Sequence, residues 1–233
     1  MRKIQRMAAI GAMAALTVTL AACGGSESAS SAPMAAPSAA PSAASSMAAA
    51  PSSVAAASDG VTTNDDVFGP ACSQLPQGNA PGGLDAMGPM PVASAASTNP
   101  LLTTLVTAVG QVPGLADTLN QQQAITVFAP YNGAFDAVKQ QVGTEAFNAL
   151  LKNQTALGGV LSYHVVPKRY DADGLVEAGK TTELAGGDIT IGGTADAPTL
   201  TDGQGNTAKV LCGNIPTSNA TVFVIDKVLM PKS

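Results

Sequence analysis

The chain predicts an α+β domain behind a long non-globular leader, and three observations carry that reading. Helical apolar patterns come first and short β-like runs come later, whereas a wound parallel sheet would alternate them. The stretch from Ile125 to Val138 changes its hydrophobic period in the middle, from a strand to a helix. The residues before Asn99 have a composition suited to export, anchoring and spacing rather than to a core.

The N-terminus reads as an address. Arg2, Lys3 and Arg6 precede an apolar run from Met7 to Leu20. An uninterrupted membrane span needs about 20 apolar residues, so this is a signal peptide, residues 1–22. Leu20-Ala21-Ala22-Cys23, followed by Gly24, resembles the lipobox of bacterial lipoproteins. That resemblance implies lipid attachment at Cys23; the competing reading is an ordinary small-residue cleavage site with an incidental cysteine. Each buried CH₂ of such a lipid contributes about 0.8 kcal/mol, so two or three chains hold a protein at a membrane.

Residues 23–58 read as a disordered Ala/Ser/Pro-rich tether. They carry one charge, Glu27, and no aromatic residue. Too little apolar area is available there to offset chain entropy, and Pro33, Pro37, Pro41 and Pro51 bias the segment towards extension. The composition also fits the O-glycosylated spacers of surface lipoproteins. Residues 59–98 read as an extended, Pro- and Gly-rich arm that carries Cys72. With Cys23 lipidated, Cys72 and Cys212 are the two cysteines left. In an exported protein an isolated pair is expected to form a disulfide; the rival is two free thiols, without a Cys-x-x-Cys or a cationic neighbour to activate them.

The folded part, residues 99–233, opens at Asn99, a good N-cap, with Pro100 at the first helical position. Leu101, Leu102, Leu105, Val106 and Val109 form one stripe that ends at Gly110. A second helix is expected around Gly114 to Asn120. Ile125 to Ala129 is a buried strand, Pro130 stops it, and Asn132 is expected to cap the helix that presents Phe135 and Val138. Phe128, Phe135 and Val138 are core candidates. Further helices are expected at Thr144–Lys152 and Thr155–Ser162, with Thr144 and Thr155 as their caps. Strands are expected at Tyr163–Val166, Thr181–Leu184, Asp188–Ile191, Thr199–Asp202, Lys209–Cys212 and Thr221–Met230, with turns at Gly186-Gly187, Gly192-Gly193 and Asp202-Gly203.

Charge narrows the partners. The whole chain has a net charge of −5, and removing the signal peptide leaves 8 basic against 16 acidic side chains, a net of −8. The acidic balance argues against nucleic acid as a partner because phosphate binding needs a basic face. Electrostatic docking on anionic lipid is disfavoured for the same reason.

Three stretches stand in order: Ile125-Thr126-Val127-Phe128-Ala129-Pro130-Tyr131-Asn132-Gly133-Ala134-Phe135, Leu161-Ser162-Tyr163-His164-Val165-Val166, and Asn219 through Pro231. Together they resemble the first box, the Tyr-His motif and the C-terminal box of a fasciclin (FAS1) domain, over roughly Asn99 to Pro231. The likeness is strongest to secreted and lipid-anchored fasciclin antigens of mycobacteria, which pair a Gly-Pro-x-Cys in an N-terminal arm with a Cys-Gly near the last strand. Gly69-Pro70-Ala71-Cys72 and Cys212-Gly213 match that arrangement, so the resemblance also implies the Cys72–Cys212 disulfide. It implies a single domain of helices packed against a wedge of short, mostly antiparallel strands, with a role in adhesion or surface binding and no common catalysis. Tyr131 departs from the Thr usual at that corner.

Candidate sites are few. The resemblance offers Tyr163 and His164 as a partner-contacting pair; the plainer reading is a histidine bonded inside the fold. His164 is the only histidine, so a metal set has no second imidazole, and no cofactor is expected. Asp202-Gly203-Gln204-Gly205-Asn206 looks like a calcium loop but lacks the downstream Glu, which favours a hairpin turn. Asp171 and Asp173 are read as a solvated loop pair rather than acid–base machinery. The Asn153 and Asn219 sequons are read as caps and strand starts. A hydrolase has the residue types but no nucleophile elbow.

The expectation is therefore a non-enzymatic, monomeric surface lipoprotein, anchored through its N-terminal lipid, that presents one fasciclin domain to an unidentified protein or polysaccharide of host, matrix or cell envelope. The alternative is a carrier or receptor for a small apolar ligand, held in a cleft between the helices and the β region. A preformed apolar pocket of about 300 Å³ or more favours the carrier; a filled core with a flat exposed face favours adhesion.

Overall fold

The structure is a computed structural model that describes residues 59–232. The expected signal peptide 1–22, lipid attachment at Cys23 and tether 23–58 fall outside the described residues. Segment 59–98 is not the extended arm expected. It holds two short helices, α1 (Leu84–Met87) and α2 (Val92–Thr98), and it places Leu75, Met87, Val92 and Ala95 in the core. The ends that local sequence leaves uncapped find distant partners. The N–H of Val92 donates to Asn219 Oδ1 at 2.9 Å and that of Ala93 to Asn120 Oδ1 at 3.0 Å. These satisfy helix-start donors that a run of Ala and Ser cannot satisfy itself.

Asn99 caps as expected, accepting the N–H of Leu101 at 2.9 Å. The first turn, Pro100–Leu102, is a 3-10 helix, and α3 proper spans Thr103–Gly110, followed by α4 (Leu115–Gln121). β1 (Ile125–Pro130) leads into α5 (Asn132–Val142). Asn132 does not cap α5, whose first residue it is. Its Oδ1 accepts the Thr104 N–H at 2.9 Å and the Thr103 hydroxyl at 3.1 Å, and its Nδ2 donates to the Pro100 carbonyl at 2.9 Å. It caps the neighbouring α3 and ties the two helices together. α6 (Thr144–Lys152) starts from Gly143, and α7 (Gln154–Ser162) is capped by Asn153, which accepts the Ala156 N–H. In both, the expected Thr cap sits inside the first turn.

After β2 (Val165–Val166) comes α8 (Ala172–Ala178), where a polar loop was expected. The remaining elements are β3 (Lys180–Thr182), β4 (Asp188–Thr194), β5 (Ala197–Thr201), β6 (Thr207–Pro216) and β7 (Ala220–Ile225). With β1 and β2 these strands form one seven-stranded sheet in the order β2-β1-β7-β6-β5-β4-β3. Neighbours are antiparallel except β1 and β7, which run parallel with Ile125 opposite Ala220 and Pro130 opposite Ile225. Both of these strands are buried along their whole length, which is why each reads as a continuous apolar run and not as an alternation.

β6 pairs with β5 through its first part and with β7 through its second, and its register with β7 shifts twice. Such bulges increase local twist, and the strand serves two cores. One lies under α2 to α7 against β1 and β7; the other lies between α8 and β3 to β5 and takes in Phe128, Tyr163 and Phe223. Phe128 and Phe135 are buried, as expected, and Val138 is partly buried against the first core. Tyr131 is explained by packing: its ring lies over Gly133, where any Cβ would overlap the phenol.

Cys72 and Cys212 form a disulfide with Cα atoms 5.0 Å apart. The segment around Cys72 pairs with β6. The N–H of Ala71 donates to the Leu211 carbonyl at 2.9 Å, and that of Gly213 to the Phe68 carbonyl at 2.8 Å. Gly69 has φ +115° and sits against the Leu211 carbonyl, and the Phe68 ring occupies the space a Cβ at Gly213 would need. A side chain at either glycine would push the segment off the strand, so the Gly-Pro-Ala-Cys and Cys-Gly pairing has a steric cause.

Candidate functional site

Tyr163 and His164 connect α7 to the edge strand β2 and are buried inside the fold. They do not form a contact surface: Tyr163 is 0% and His164 3% exposed. The Tyr163 hydroxyl donates to the Asp188 carbonyl at 2.7 Å and accepts the Gly203 N–H at 2.9 Å. Its ring covers Gly187. The imidazole is equally occupied. Nδ1 lies 2.7 Å from the Val160 carbonyl, which can only accept, so Nδ1 carries the proton. Nε2 then accepts the Leu229 N–H at 2.9 Å. Burial pushes the His164 pKa down to about 4, so the ring is neutral at physiological pH.

The acidic candidates are also structural. Asp202 Oδ1 accepts the N–H groups of Gln204 and Asn206, and Oδ2 accepts from the Asn206 amide and the Met230 N–H. The Gln204 and Asn206 donors close the turn and the Met230 N–H ties the C-terminal segment to it, so both carboxylate oxygens are engaged by protein donors. Asp171 Oδ1 accepts the Gly174 N–H at 2.8 Å and so starts α8, while Asp173 is exposed in its first turn. Asn219 holds α2 through Oδ1 and donates through Nδ2 to the carbonyls of Leu119 and Gln122, each at 2.8 Å. Glu183 is a buried carboxyl that the sequence reading did not single out. Oε1 accepts from the Thr181 hydroxyl at 3.2 Å, Oε2 has no partner, and burial raises its pKa to about 7.

The feature with room for a ligand lies beside His164. An apolar pocket of about 310 Å³ opens between α2, α3 and α4 and reaches down to β1, α7 and β2. Its floor is Val127, Phe128, Leu161, His164 and Val165, and its walls include Val92, Ala96, Leu105, Val109 and Leu119. Ser97 and Gly110 at the mouth are exposed. No Asp, Glu, Lys or Arg among the described residues lines it. The expected cleft between helices and strands is therefore present. Its outer wall is α2, which the sequence reading left in an extended arm, because an Ala/Ser run with distant caps has no local signature.

A model of the fasciclin domain family matches residues 100–231. The chain is 38% identical over 177 residues to immunogenic protein MPB70 of Mycobacterium bovis, covering 71% of this chain and 83% of that protein. It is 38% identical over 194 residues to cell surface glycolipoprotein MPB83 of the same species, covering 78% and 79%. Both alignments are longer than the span 100–231, after which only Lys232 and Ser233 remain, so the similarity reaches back into the segment that holds α2. Among solved structures, a FAS1 domain pair from the insect cell adhesion molecule fasciclin I matches with a TM-score of 0.53 at 16% identity, over 60% of this chain and 51% of that one. That likeness is one of fold.

Proposed function

We propose a function from one premise: this chain belongs to the fasciclin domain family. It is an exported binding protein, held at the cell surface by lipid on Cys23, that does no chemistry on what it binds. Its occupied histidine supports the last point. With Nδ1 and Nε2 both engaged and the pKa near 4, His164 has no free nitrogen to act as a general base.

The observation that carries the binding role is the apolar pocket. Its volume of about 310 Å³ lies at the lower end of small-molecule sites, and its shape is set by packed helices rather than by a loop. The protein acts as a carrier or receptor for a small apolar ligand. Titrating the mature chain with a neutral fluorescent naphthylamine tests this. Saturable one-to-one binding is expected, and a linear, non-saturating signal removes the carrier role.

A second reading is adhesion to a protein or polysaccharide of host, matrix or cell envelope. It draws support from relatives named as a cell surface glycolipoprotein and as part of a cell adhesion molecule. In that reading contact is made by exposed loops, since Tyr163 and His164 are buried. Retention of the mature chain on arrays of matrix proteins and envelope polysaccharides is the expected result; no retention on any of them counts against it. Anchoring has its own test. Cys23→Ser releases the protein into the medium, and continued membrane retention contradicts the lipid anchor.

A further inference from the structure

The polar atoms around the pocket are already paired with one another. Asn120 Oδ1 accepts the Ala93 N–H at 3.0 Å and its Nδ2 donates to Ser94 Oγ at 3.4 Å. The Ser97 hydroxyl donates to the Ser94 carbonyl at 2.6 Å. His164, on the floor, has both ring nitrogens engaged. An ionised group pushed inside would lose its water and gain no counter-charge from the described residues, none of whose charged side chains lines the site. A hydrocarbon group loses nothing there.

Size sets a second limit. An apolar cavity of about 150 Å³ holds a benzene ring. A pocket of about 310 Å³ is roughly twice that, which corresponds to about a dozen carbon atoms.

Resting on the carrier reading above, we propose that the pocket between α2, α3 and α4 is a site for an uncharged hydrocarbon group of about a dozen carbon atoms. Any neutral polar end stays at the mouth, beside Ser97 and Gly110. The outer wall, α2, precedes the residues matched by the family model. It is pinned in place by Asn219 and Asn120, so the site is assembled from the family domain and the segment before it.

Gly110 provides the test. Gly110 lines the pocket and a Cβ built on it meets nothing within 4 Å, so a large side chain is accommodated at this edge of the site without displacing backbone. Gly159, exposed on α7 and equally open, lies away from the pocket and serves as the control. The mature chain, disulfide intact, is loaded with neutral phenylnaphthylamine and challenged with 1-decanol, ionised decanoate and decyltrimethylammonium. Decanol is expected to displace the probe, with both ions at least about tenfold weaker. Gly110→Trp is expected to lower probe and decanol affinity at least about tenfold at an unchanged melting temperature, and Gly159→Trp to leave them unchanged. If Gly110→Trp melts early, Val109→Phe on the same wall replaces it. Phosphatidylcholine vesicles separate two sources: displacement by vesicles assigns the site to a chain drawn from a bilayer, and displacement by decanol alone to a free amphiphile. Ions binding as tightly as decanol overturn the uncharged class and leave the carrier reading standing. Gly110→Trp binding like the native chain overturns the site. Absence of saturable binding by any probe overturns the carrier reading itself.

Discussion

His164 Nε2 accepts the backbone N–H of Leu229 at 2.9 Å, so the only imidazole in the chain holds down the segment that follows β7. The next amide, that of Met230, is held by Asp202 Oδ2 at 3.0 Å. Consecutive residues of the C-terminal box are thus fastened to the Tyr-His motif and to the β5–β6 turn, and this fastening is the work of residues that invite a functional reading.

The fastening is pH-dependent. The folded-state pKa of His164, about 4, lies below the ordinary 6.5. Its contribution to stability is full above about pH 6.5 and is lost as pH falls through about 4. The change across that window is on the order of 3 kcal/mol. In a variant lacking the opposing group described next, urea melts at closely spaced pH values should show stability rising from pH 4 to 6.5; a flat profile there would contradict the buried neutral ring.

Glu183 works in the opposite direction. Burial raises its pKa to about 7 from an ordinary 4.5, so its contribution is present below about pH 4.5 and is lost as pH rises through about 7. Between pH 4.5 and 6.5 the two groups offset each other. Glu183→Gln keeps the shape, removes the titration, and should give a steeper rise of stability with pH than the native chain. An unchanged profile would mean that Glu183 is solvated.

Tyr163→Phe removes a donor to the Asp188 carbonyl and leaves the Gly203 N–H without its acceptor. A loss of about 1–3 kcal/mol is expected by denaturant titration. Binding to any macromolecular partner should be unaffected under conditions where the variant remains folded. Weaker binding without loss of stability would restore Tyr163 as a contact residue.

The Cys72–Cys212 bond closes a loop with a sequence separation of 140. In the chain-entropy model such a bond contributes up to about 5 kcal/mol. Replacing both cysteines by serine should lower the melting temperature markedly, and should also weaken probe binding, because the segment that carries α2 loses its covalent tie. Non-reducing mass spectrometry of exported protein should show the two cysteine peptides joined; free thiols would contradict the bond.

The features legible in the chain without its fold are local or compositional. The buried strand at Ile125–Ala129, the Asn99-Pro100 helix start and the helix at Thr144–Lys152 were legible because adjacent residues carry their signals. The order of helices before strands was enough for the α+β class, and three ordered motifs were enough for the family. The Cys72–Cys212 pairing was legible because only two cysteines remain after Cys23 and the glycines beside them match.

The remaining features depend on partners far apart in the chain, which packing alone brings together. Asn132 carries a cap signature, but the helix it caps is α3, whose free N–H groups are brought to it by packing. Val92–Thr98 has the composition of the tether, yet it is a helix because Asn219 and Asn120 meet its first N–H groups. Asp171–Gly179 has a cap at one end and a left-handed glycine at the other, but Gly174 within it and two aspartates made it resemble a loop. Tyr163 and His164 look like a reactive pair in sequence. Burial, which periodicity cannot report at a junction between a helix and a two-residue strand, makes them anchors. The pocket is the extreme case: its floor, walls and mouth come from segments spread over more than seventy residues of chain, and only their packing encloses the space.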